Sequence, residues 1–69
     1  MCLRGKLIRH TILSYICANS ATFDEIVKHA SWHLLVNLPD LQEAEVKFQV
    51  DKFVRKNVLM FSSGKYEIA

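Results

Sequence analysis

The chain has 69 residues, 51% of them hydrophobic and 23% charged, with a formal net charge of +2. A chain this short buries only about 60% of the surface it exposes when unfolded, so one domain with a thin core is expected, spanning residues 1–69. The apolar content excludes a disordered chain, and for so small a domain it points to surface that meets a partner.

Two cysteines, Cys2 and Cys17, are too few for a secreted disulfide scaffold. Cys17 falls in the first predicted helix and Cys2 immediately before it, about 22 Å apart at 1.5 Å per residue if the helix takes in both, so no bridge joins them along it. Reduced thiols in a cytoplasmic protein are expected. The basic start Arg4, Lys6, Arg9 before ILSYICA, followed by Asn19-Ser20-Ala21, has the outline of a signal peptide. The apolar stretch is short and interrupted by Ser14 and Tyr15, and it reads instead as an amphipathic helix. No run approaches the roughly 18 apolar residues of a membrane span, so no membrane partner is expected.

In chain order, the first helix is predicted from Leu3 to Ala18, with Ile8, Ile12, Tyr15 and Ile16 on one apolar face that Leu13 and Cys17 widen. Asn19 and Ser20 close it. The run Thr22-Phe23-Asp24-Glu25 fits a reciprocal capping box, and its two acids suit the positive end of a second helix. That helix buries Phe23, Ile26, Val27 and Ala30. Residues 31–38 read equally as a helical extension, a short strand or an apolar loop, with Pro39 forcing a break nearby. A third helix is predicted from Asp40, capped with Glu43. Val46, Val50, Phe53, Val54 and Asn57 lie along one side and Leu41, Ala44 and Phe48 along another, with Glu45, Gln49, Lys52 and Lys56 as an outward polar stripe. Val58–Phe61 and Lys65–Ile68 then read as two short strands joined by Ser62-Ser63-Gly64.

The expected fold class is therefore mostly α with a C-terminal β-hairpin, an α+β arrangement of three helices. Residues Val50 to Ala69, VDKFVRKNVLMFSSGKYEIA, carry a resemblance. They are similar to the end of the recognition helix of a winged helix-turn-helix domain running into its first wing strand, the turn and a tyrosine-containing return strand. Phe53 and Val54 stand where such domains place core residues, and Tyr66 and Ile68 where the return strand packs back. The resemblance implies a DNA-binding regulator of transcription, with the third helix in the major groove and the wing on backbone or minor groove. Members of this shape also bind RNA or proteins. The link from Ser31 to Pro39 is longer and more apolar than the family's tight turn, and Asp40, Glu43 and Glu45 put negative charge at the start of the reading helix.

Charge is segmented along the chain. Residues 1–23 hold three bases and no acid, residues 24–45 five acids against Lys28 alone, and residues 46–69 five bases against two acids. A DNA-binding face is expected at Gln49, Lys52, Arg55 and Lys56 on the third helix and Lys65 on the wing, which Lys47, Arg4, Lys6 and Arg9 extend. Gln49 has the amide geometry for paired hydrogen bonds to adenine, and the cations suit phosphates. Bases near a helix C-terminus also complement its dipole, and Lys47 can pair with Asp51. The competing expectation is a protein-interaction module, an adaptor, inhibitor or subunit, working through residues 32–41 with Trp32, Leu34, Leu35 and Leu38 at its centre. A homodimer that covers these residues is a natural form of it.

No phosphate-binding glycine loop, nucleophile elbow or CxxC pair occurs. His10 and Cys17 stand about 10 Å apart along one helix, beyond hydrogen-bond reach, and no enzyme activity or cofactor is expected. Glu25, His29 and His33 share a helical face that is chemically adequate for zinc, but a fourth ligand is not evident. No metal is expected there, and His29 is read as a surface partner of Glu25.

Overall fold

The computed structural model describes residues 3–69; Cys2 lies outside the described residues. Three helices, α1 (Leu3–Ala18), α2 (Phe23–His33) and α3 (Glu43–Arg55), are followed by an antiparallel hairpin of β1 (Leu59–Ser62) and β2 (Lys65–Ile68). This is a winged-helix-like architecture, and the mostly-α fold with a terminal hairpin matches the expectation from the sequence.

Each helix packs on the other two, and the hairpin reaches α1 through β2 and α3 through β1. From α1 come Ile8, Ile12 and Ile16, spaced four apart so that they stack along one face. Ile26 and Ala30 of α2 and Val46, Val50 and Phe53 of α3 meet them, and Leu59 of β1 closes the floor. Full burial of one such aliphatic side chain is worth about 1.5–3 kcal/mol. Cys17, expected to widen the apolar face of α1, is an exposed free thiol.

Helix α2 begins as its capping box predicts. The Glu25 N–H donates to the Thr22 hydroxyl at 3.2 Å, and the Thr22 N–H donates to the Glu25 carboxylate at 2.9 Å. Of the ambiguous stretch, Ser31, Trp32 and His33 extend the helix, and no strand forms. Residues 34–37 are turn, with the Leu38 N–H returning to the Leu34 carbonyl.

Helix α3 starts three residues later than expected. Pro39 and Asp40 lie in a turn, and the reciprocal partner is Gln42, whose N–H donates to Glu45 Oε2 at 3.2 Å. Asp40 is drawn elsewhere, to Arg4. The helix ends in a left-handed residue, Asn57, at φ 62°. The Val58 N–H donates to the Phe53 carbonyl and the Asn57 N–H to the Val54 carbonyl, the double closure of a Schellman cap. That cap turns the chain directly into β1.

The hairpin is tighter than its sequence suggested. Ser62 pairs with Lys65, leaving Ser63 and Gly64 as a two-residue turn at φ 54° and 80°, a geometry that needs positive φ at both positions. Ala21 and Tyr66 exchange backbone hydrogen bonds of 3.0 and 2.7 Å, which fastens β2 to the corner between α1 and α2.

Candidate functional site

Helix α3 presents different chemistry on different faces. At its C-terminal end Arg55 and Lys56 are exposed and Lys52 is half-buried. Lys65 is exposed at the tip of the hairpin. Among the described residues none of these four forms an ion pair. Three of them thus lie at the end of α3 and one on the wing that follows it. Lys47 is engaged instead: its Nζ lies 3.6 Å from Asp51 and 5.9 Å from the centre of the Phe23 ring.

Gln49 is not on that surface. It is only 8% exposed, beside Val46, Val50 and Phe53, because α1 lies over the side of α3 that the sequence pattern assigned to solvent. Its Oε1 is shielded from solvent and meets no hydrogen-bond donor among the described residues. Glu45, the first member of the expected outward stripe, is half-buried for the same reason. Conversely, Phe48, expected to be packed, is 58% exposed.

The α1–α3 contact is organised by Arg4. Its guanidinium grips Glu45 with a two-pronged fork, Nε to Oε1 and Nη2 to Oε2, while Nη1 donates to Asp40 at 3.1 Å. The Arg4 hydrogen bond is the main reason the Glu45 carboxyl is held down to about 2, and the same bond raises Arg4 further above its usual range. Beside this fork lies a cleft of about 250 Å³, lined by Arg4, Gly5, Ile8, Ala44, Phe48 and Gln49 together with Glu45. Neither the fork nor the cleft has a local signature, since Arg4 and Glu45 stand 41 positions apart. The one available hint was Glu45 three residues after Gln42.

The expected partner-binding residues divide into two groups. Leu34 and Leu38 are buried and complete the core, because the turn after α2 folds them back onto it. Trp32, Leu35 and Val36 face outward, 77%, 53% and 90% exposed. Trp32 is therefore an outward aromatic knob at the end of α2.

The expected Glu25–His29 pair does not form, because Glu25 serves the Thr22 cap. His29 stacks instead between Tyr15, at 4.1 Å between ring centres, and His33, at 4.4 Å. Burial, and secondarily the neighbouring His33, pushes the His29 pKa below its usual 6.5. No helix among the described residues is long and apolar enough to cross a membrane. Comparison with known proteins adds no identity: no protein-family model, no curated protein and no solved structure matches the chain.

Proposed function

We propose that the chain is a winged helix-turn-helix DNA-binding domain, a regulator of transcription rather than an enzyme, that grips the duplex through phosphates. The observation that carries this is the set of four cations that form no ion pair among the described residues, Lys52, Arg55, Lys56 and Lys65, at the end of α3 and the tip of the wing it leads into. A four-residue strand spans about 13 Å at 3.3 Å per residue, so the two ends of the surface reach different phosphates. With Gln49 buried, the surface lacks the amide that would read adenine, and affinity comes from charge more than from sequence.

Binding to a labelled mixed-sequence duplex, followed by anisotropy across salt, tests this. Four phosphate contacts give a log–log salt slope of about −3.6. Reversing two charges with Lys52→Glu and Lys56→Glu weakens binding on every sequence and removes about 2 from that slope. Unchanged affinity in the folded double variant sinks the assignment.

A second reading is favoured by the outward Trp32, Leu35 and Val36. Exposed apolar groups gathered in one place mark interaction surfaces, and tryptophan is enriched among residues that dominate binding energy. In this reading the chain is a protein-interaction module, and Trp32→Ala abolishes partner capture while the domain stays folded. A folded Trp32→Ala variant that captures its partner as before would count against it.

A further inference from the structure

The last two turns of α2 carry a pair of imidazoles that the fold orients without bonding their nitrogens. His29 and His33 stand one turn apart on the same side of the helix, with ring centres 4.4 Å apart and planes 29° from parallel. Tyr15 of α1 covers the other side of the His29 ring at 4.1 Å and 11°. Stacking occupies the faces of an imidazole, whereas its lone pair lies in the ring plane and stays available at the edge. Among the described residues no hydrogen bond or ion pair reaches either ring. His33 is exposed and His29 half-buried. Burial, with His33 second, keeps the His29 pKa below 6.5, so at neutral pH this ring is in the uncharged form that ligates metals.

We propose that His29 and His33 chelate one divalent transition-metal ion, of the zinc, nickel and copper class, between their ring nitrogens. Imidazole suits these ions, and histidines four apart on a helix have the spacing that lets two rings share one metal. Metal–nitrogen bonds of about 2.0–2.1 Å place two ligand nitrogens of a tetrahedral ion roughly 3.3 Å apart. That is closer than the ring centres now stand. The broad terminal torsion of the exposed His33 closes the difference without moving α2, while Tyr15 holds the His29 ring in place. A closed structural zinc site takes four protein donors. Glu25, one turn back, is committed to the Thr22 N–H, and no group of three or more His, Cys, Asp or Glu side chains able to hold a metal lies together among the described residues. The site is therefore an open one, completed by water and exchangeable. Its occupant ties together the last two turns of α2, the end that holds out Trp32. The inference stands apart from the DNA and Trp32 readings, neither of which uses these rings.

The test uses the full chain with its thiols removed as Cys2→Ser and Cys17→Ser, so that sulfur does not compete for the ion. Zinc, nickel and magnesium salts are titrated by calorimetry at neutral pH, and chemical denaturation is repeated with and without zinc. One equivalent of zinc or of nickel is expected to bind, and no magnesium, which takes oxygen ligands. His33→Gln, at an exposed position, is expected to stay folded and to weaken binding by more than about tenfold. His10→Gln, on α1, leaves binding unchanged. Zinc raises the denaturation midpoint of the parent chain and leaves that of His33→Gln where it was. Absence of zinc and nickel binding at millimolar metal overturns the inference. So does an affinity that His33→Gln leaves intact, which would mean an adventitious ion only, or one that His10→Gln removes.

Discussion

From Glu43 to Gln49, α3 leans on α1: Arg4 grips Glu45, Gln49 is sealed in, and the acids that looked hostile to DNA are partly neutralised. From Lys52 to Lys56 the same helix carries cations that pair with nothing charged among the described residues. From Gln49 to Lys52 is less than one turn of helix. A helical face is thus given its role by what packs on it. Residues of similar polarity, Gln49 and Lys52, end in different surroundings because α1 covers only the first half.

The largest expected effect comes from removing what both halves share. Phe53→Ala deletes a core ring from the middle of the C-terminal half and is expected to cost about 3–5 kcal/mol, read by chemical denaturation. Loss of stability together with DNA binding is the expected outcome. A small effect would mean that the two halves do not depend on a common core.

The charge reversal at Lys52 and Lys56 comes next and acts on the second half alone, lowering DNA affinity with the melting temperature nearly unchanged. Gln49→Leu sharpens the comparison from the other side. It removes the shielded orphan oxygen at similar volume, and is expected to leave DNA binding intact while stability holds or rises by about 1 kcal/mol. A selective loss of affinity for A·T-containing sites would instead return Gln49 to the binding face.

The smallest effect is specific to acid. The Glu45 carboxyl is lowered from 4.5 to about 2. The folded state therefore binds fewer protons in that window, and its contribution to stability is present above pH 4.5 and lost as pH falls toward 2. Arg4→Ala removes the cause. The melting temperatures of wild type and variant should differ above pH 5 and converge near pH 2. A gap that stays constant across that range would show that the fork contributes through packing alone.

Local patterns carried the first helix, the Thr22 cap and the hairpin, because each depends on neighbours within four residues: i, i+4 isoleucines, a hydroxyl three residues from a carboxylate, a turn glycine. The start of α3 was misplaced because Asp40-x-x-Glu43 and Gln42-x-x-Glu45 are equivalent signals to a local reading, and only Arg4 decides between them by holding Asp40 and Glu45 together. The same holds for the candidate surfaces. Of the five residues expected to face DNA, Gln49 is buried, and burial by α1 leaves no trace in α3's own periodicity. Leu34 and Leu38 part from Trp32 and Leu35 for a like reason: a turn, unlike a helix or strand, has no fixed period with which to sort inside from outside. What the sequence by itself determined was the order and kind of the elements, since backbone preference and capping are local. Which face of α3 meets water, which leucines join the core and where the cleft lies were decided only by how the helices pack.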